Sequence, residues 1–145
     1  MATLKISDLS VGDWVYYDKG NTPYSIRSIY RTGIQDCVVL NDSVFPDGVI
    51  GFVDRLKPIP ITAEILEKNG WEFCRDSLWW TTQIDAYTRA NVWLGNNGEC
   101  RVEVSCMTKE LDYYFCFADV KLPNAHIHLL QRVLRLAGVE KEINL

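Results

Sequence analysis

The sequence predicts an α+β protein in which a small N-terminal β-barrel precedes an antiparallel β-meander packed on a C-terminal helix. Three observations carry this. Up to Pro60, short apolar runs alternate with turn residues at intervals of about ten, the rhythm of small all-β units. From Glu99 to Cys106, apolar and polar residues alternate with period two. From Ala125 to Ala137 the spacing becomes helical, and Gly138 stops it. The composition, 145 residues with 48% hydrophobic and 23% charged, fits a packed core, and no stretch is apolar for long enough to cross a membrane as a helix.

In the first part, Asp13 to Tyr17 reads as a strand, Asp18-Lys19-Gly20-Asn21 as a turn, and Tyr24 to Arg31 as a second strand. Period two places Tyr24, Ile26, Ser28 and Tyr30 on one face of it. Thr32-Gly33 turns the chain into Gln35 to Leu40, and Pro46-Asp47-Gly48 precedes Val49 to Val53. A helical turn at Asp54-Arg55-Leu56 leads to a last strand at Lys57 to Ile59. Five short strands with one helical turn before the fifth resemble the barrel of the Src-homology-3 type, and Leu9-Ser10-Val11-Gly12-Asp13-Trp14-Val15 resembles its opening strand.

Pro58-Ile59-Pro60 resists both helix and interior strand, so the expected division is residues 1–60 and 61–145. Thr62 is a good N-cap for a helix from Ala63 to Lys68, and Asn69-Gly70 ends it. Strands are expected at Trp71 to Arg75, Leu78 to Thr82 and Ala90 to Leu94. On Glu99 to Cys106, one face takes Cys100, Val102, Val104 and Cys106, the other Glu99, Arg101, Glu103 and Ser105. Thr108-Lys109-Glu110 turns into a strand from Leu111 to Phe117, with Leu111, Tyr113, Phe115 and Phe117 on one face. On the final helix, about 100° per residue gathers Ile127, Leu129, Leu130, Val133, Leu134, Leu136 and Ala137 on the side meant for the sheet.

A net charge of −4 is too weak a field to imply nucleic acid or an anionic membrane as partner. The five cysteines are widely spaced and contain no C-x-x-C pair, which reads as buried reduced thiols rather than zinc or redox chemistry. The opening residues lack the apolar stretch of a signal peptide, so a cytoplasmic location is expected.

His126 and His128 form an H-x-H pair, but about 160° of helix rotation would separate them, so no metal or cofactor is expected there. His128, Gln131, Arg132 and Arg135 form a polar, basic stripe suited to an acidic partner or to plain solvation. No nucleophile elbow, phosphate loop or zinc-helix motif is present, and cysteines on an apolar strand face make poor thiolates. No catalytic residue is therefore assigned.

Aromatic residues are the remaining signal. Tyr16 and Tyr17 sit in the first part and Trp79-Trp80 in the second, and adjacent strand residues face opposite ways, so one of these two indoles must point away from the core.

Ile6 to Val15, Pro58-Ile59-Pro60-Ile61-Thr62-Ala63-Glu64-Ile65-Leu66 and Ile127-His128-Leu129-Leu130-Gln131 together resemble a family of small proteins from gut Bacteroidales genomes and their prophages. Family members carry "P-I-P-L-T-x-E-x-L", then "G-F" where this chain has Gly70-Trp71, and "V-H-x-L-Q" in the final helix. Leu129 departs from that pattern, where a polar residue is usual. The resemblance implies a bacterial, cytosolic, mobile-element setting and supplies no site residues.

The expected function is a non-enzymatic protein-binding or adaptor module that contacts a protein partner or a second copy of itself. Its expected contact residues are Trp79, Trp80, Tyr16, Tyr17, His128, Gln131, Arg132 and Arg135. The alternatives are a small enzyme with a cryptic site, which needs a histidine or carboxylate near a nucleophile, and a weak nucleic-acid binder.

Overall fold

The computed structural model describes residues 4–107 and 114–145, apart from the side chains of Tyr114, Phe115 and Phe117. The chain is α+β, mostly strand, with two antiparallel five-stranded sheets and two α-helices among the described residues. It divides into two compact units, Met1–Ile59 and Pro60–Leu145. The turn expected at Thr108 to Glu110 and the face expected for Leu111, Tyr113, Phe115 and Phe117 lie outside what is described.

In the first unit, a 3-10 turn at Ile6–Asp8 precedes β1 (Trp14–Tyr17), β2 (Pro23–Arg31), β3 (Asp36–Leu40) and β4 (Val49–Phe52). A second 3-10 turn, Val53–Arg55, leads to β5 (Leu56–Pro58), and the sheet order is β4-β3-β2-β1-β5. The Gly12-Asp13 pair fixes the entry to β1. Asp13 is fully buried, its carboxylate accepts the Ser10 N–H at 2.8 Å, and its carbonyl accepts the Ile26 N–H at 2.9 Å.

The core of this unit gathers Leu4, Leu9, Val15, Ile26, Val38, Leu40, Val53 and Leu56, each large aliphatic side chain contributing about 1.5 to 3 kcal/mol. Tyr17, Tyr24 and Ile29 pack against it. The expected face Tyr24, Ile26, Ser28, Tyr30 is corrected here. The β2–β3 register shifts between Ile26 and Ser28, and such a bulge reverses the alternation, so Ile29 turns to the core in place of Ser28. The sheet is open. Among the described residues no pairing joins β4 to β5, so the expected barrel closure is not seen.

In the second unit, the Thr62 hydroxyl oxygen accepts the Ile65 N–H at 3.3 Å and caps α1 (Ala63–Lys68). Asn69 follows, and its side chain binds the closing segment at two points. Its Nδ2 donates to the Asn144 carbonyl at 2.9 Å, and its Oδ1 accepts the Asn144 N–H at 2.7 Å. Next come β6 (Glu72–Cys74), β7 (Trp79–Gln83), β8 (Thr88–Leu94), β9 (Cys100–Met107) and β10 (Tyr114–Leu122), a meander in that order, then α2 (Ile127–Leu136).

The register builds an inner face in transverse rows, Trp80 with Val92, Val102 and Val120, then Thr82 with Ala90, Val104 and Ala118. On α2, Ile127, Leu130 and Leu134 are fully buried. The start of the unit is tied to the start of this helix by the Ile61 N–H donating to the Ala125 carbonyl at 2.7 Å and by a bridge between Pro60 and His126.

The burial of α2 corrects the expected helix face. His128 and Gln131, expected on the polar stripe, are only 1% and 3% exposed, whereas Leu136, expected against the sheet, is 84% exposed and Leu129 is half-buried. The centre of the buried side is turned by roughly 90° from the expected one. The apolar side chains on this helix span more arc than the unit covers, so hydrophobicity alone did not fix which part faces inward.

Candidate functional site

The outer face of the second sheet carries Trp79, Trp93, Arg101, Glu103 and Asp119. Trp80 points inward and is 8% exposed, while its neighbour Trp79 points outward and is half-buried. The register that sets Trp80 opposite Val92 puts Trp79 on the same transverse row as Trp93, and Trp93 pairs with Arg101. The Arg101 guanidinium carbon lies 5.8 Å from the centre of the Trp79 ring, within cation–π range. Gly95 makes room for this row, because a Cβ there would stand 2.9 Å from the Trp93 ring.

Beside that row runs a hydrogen-bonding one of Thr81, Asn91, Glu103 and Asp119. Thr81 Oγ1 donates to Asn91 Oδ1 at 2.9 Å. Arg101 grips Asp119 with both arms of its fork, Nε to Oδ1 at 2.8 Å and Nη2 to Oδ2 at 2.5 Å, and Nη2 also lies 3.4 Å from Glu103. Those bonds hold the Asp119 carboxyl below its ordinary range. The face therefore offers two half-buried indoles, a fixed guanidinium and adjacent carboxylates, while Asn91, 7% exposed and already accepting from Thr81, serves the sheet itself; the set is suited to gripping a polar, partly apolar surface.

The other expected contact residues are dispersed. Tyr16 and Tyr17 are half-buried in the first unit, Tyr17 packed on its core. Trp80, His128 and Gln131 are buried rather than surface-facing, Trp80 because its strand alternation turns it inward and the two helix residues because α2 is rotated. Arg132 is half-buried and Arg135 exposed. Trp93 and Arg101 were not among the expected contacts. The alternation of β9 exposes Arg101, and the register that brings Trp93 beside it could not be read from one strand alone.

The expectation about the histidines is also corrected. His126 is the N-cap of α2 with extended backbone, so its ring lies 5.7 Å from that of His128 with planes 24° apart. Burial lowers the pKa of His126. Among the described residues no three of His, Cys, Asp and Glu cluster closely enough to hold a metal ion. No helix among them is long and apolar enough to cross a membrane.

The cysteines divide by environment, which corrects the expectation that all are buried. Cys37 and Cys100 are buried, Cys106 is half-buried, and Cys74 and Cys116 are exposed. Burial pushes the Cys100 thiol up to about 12. At Cys74, hydrogen bonds from the Ser77 hydroxyl and the Ser77 and Asp76 N–H groups lower it. No family model, no curated protein and no solved structure matches the chain.

Proposed function

We propose that this chain is a non-enzymatic protein-binding module whose contact surface is the outer face of the second sheet around Trp79, Trp93 and Arg101. The observation that carries the reading is the single row formed by these three residues, with Arg101 held against Asp119. Rigid indoles and a fixed guanidinium lose little conformational freedom on binding and are the side chains that dominate protein contacts. A small barrel of the Src-homology-3 type in the first unit belongs to the same proposal, supported by its strand order and by the 3-10 turn before β5. A cytosolic, mobile-element setting rests on the family resemblance alone.

The test is affinity capture from native bacterial lysate with wild type beside Trp79→Ala, Trp93→Ala and Arg101→Glu, each checked for folding by circular dichroism. Loss of the same captured protein in all three supports the reading. Identical catches across the four chains overturn it.

A further inference from the structure

We propose that Asn97 is a site of spontaneous covalent modification, deamidated through a cyclic imide with water as co-reactant, while the other Asn-Gly pair of the chain, Asn69-Gly70, is held against the same reaction by its hydrogen bonds.

Asparagine is a labile residue, and a glycine after it makes it more so, because glycine has no side chain to crowd the reacting nitrogen and its backbone turns freely. The Gly98 nitrogen gives up its proton to hydroxide and attacks Asn97 Cγ. A nitrogen–carbon bond forms, the Cγ–Nδ2 bond breaks, and the nitrogen leaves as ammonia with a proton from solvent. Water then opens the imide at either carbonyl, giving aspartate or isoaspartate. In the isoaspartate the main chain runs through the side-chain carbon. Nothing is oxidised or reduced.

The chain contains two such pairs, and the structure treats them differently. Asn97 is exposed in the turn between β8 and β9, and among the described residues its side chain is held by one bond, Oδ1 accepting the Glu99 N–H at 3.3 Å. The attacking Gly98 N–H donates to the Gly95 carbonyl at 3.4 Å, a long and weak bond. Asn69 is half-buried and its amide is fastened three times. Its Nδ2 donates to the Ile65 carbonyl at 2.8 Å and the Asn144 carbonyl at 2.9 Å, and its Oδ1 accepts the Asn144 N–H at 2.7 Å. The Gly70 N–H is occupied as well, donating to the Glu67 carbonyl at 3.0 Å. Reaction at Asn69 requires these bonds to open together, and the fraction of time spent open sets its rate.

The change at Asn97 reaches beyond its own turn. The Gly98 carbonyl accepts the Ala125 N–H at 2.7 Å, and the Ala125 carbonyl accepts the Ile61 N–H at 2.7 Å, so this turn helps to hold the approach to α2. Isoaspartate inserts a carbon into the main chain immediately before Gly98. That displaces the Gly98 carbonyl and loosens the Ala125 N–H.

The test is incubation of the purified full chain in warm, mildly alkaline buffer, beside a sample kept in concentrated urea. Digestion at acid pH and mass spectrometry follow the amide at each asparagine, and enzymatic methylation of its carboxyl group identifies isoaspartate. In urea, where only sequence distinguishes the two pairs, both should convert at comparable rates. In the folded chain Asn97 should convert, with Asn69 slower by about tenfold or more. The folded rate at Asn97 should rise in proportion to hydroxide, and Asn97→Gln, whose longer side chain closes the ring poorly, should remove it. Hydrogen exchange should be faster at the Ala125 N–H in the chain carrying isoaspartate than in Asn97→Asp, which has the charge without the extra carbon. Equal rates at the two sites in the folded chain, conversion of Asn69 before Asn97, an Asn97 that converts only in urea, or an Ala125 N–H unmoved by isoaspartate overturns the proposal.

Discussion

Arg101 is clasped between Asp119, which takes both of its donating arms, and Trp79, whose ring centre lies 5.8 Å from the guanidinium carbon. The ion pair is exposed, so it adds little to stability, and its effect falls on orientation. Asp119→Asn should free the guanidinium to leave the indole. Acrylamide should then quench the fluorescence of the chain more strongly, with the Trp79→Phe background showing no such increase, while the urea midpoint stays nearly unchanged.

His126 makes stability depend on pH with a fixed sign. Its folded pKa lies below the ordinary value because burial disfavours the cation. The unfolded chain therefore binds the proton more readily. The contribution is fully present above the unfolded value of about 6.5 and is lost as pH falls through that value towards the lower folded one. Urea midpoints measured down to about pH 5 should fall, and His126→Gln should flatten the fall.

Gly48 accepts no side chain. Its φ is +83°, and an added Cβ would sit 2.6 Å from Val39 Cγ1 and 2.7 Å from the Leu40 carbonyl oxygen. Because one of those contacts is backbone, Gly48→Ala must move the β3–β4 connection. Destabilisation of about 2 to 4 kcal/mol is expected in urea titration.

The buried Gln131 carbonyl oxygen has no hydrogen-bond partner among the described residues. An unmade bond at such a site costs about 1 to 3 kcal/mol, and a methionine of similar length removes the polar atom without emptying the space. Gln131→Met should raise the urea midpoint by the equivalent of about 1 kcal/mol.

Thiol reactivity should rank by exposure and environment. Cys74 is exposed with a lowered pKa, Cys116 is exposed but raised by partial burial and by the Glu103 and Asp119 carboxylates, and Cys100 is buried. Iodoacetamide labelling followed by mass spectrometry should modify Cys74 first and Cys100 last. Ser77→Ala should slow Cys74 by removing the hydroxyl that stabilises its thiolate.

Local signals were legible where one side chain decides the outcome. Thr62 announced α1, whose bounds coincide with the expected ones, and the alternation through Val102 and Val104 marked both the strand and its buried face. What depended on partners was not legible. The bulge after Ile26 reversed the pattern of β2, and α2 buried His128 and Gln131 because its whole arc, not its greasiest stripe, had to fit the unit. The strand residues 118–122 escaped notice because Asp119 and Lys121 lower their mean hydropathy, although Ala118, Val120 and Leu122 still alternate. The Trp79, Trp93 and Arg101 row was half visible, since single strands give orientation but only register gives neighbours.

The two bonds from Asn69 to Asn144 let one side-chain amide imitate a neighbouring main chain, with donor and acceptor presented side by side. The imitation depends on having both. An aspartate offers no donor and a leucine offers neither, so a single atom exchange at Asn69 would unlatch the segment that carries the fully buried Ile143 into place. A distant loosening at residue 143 would thus be authored by a residue that is itself only half-buried.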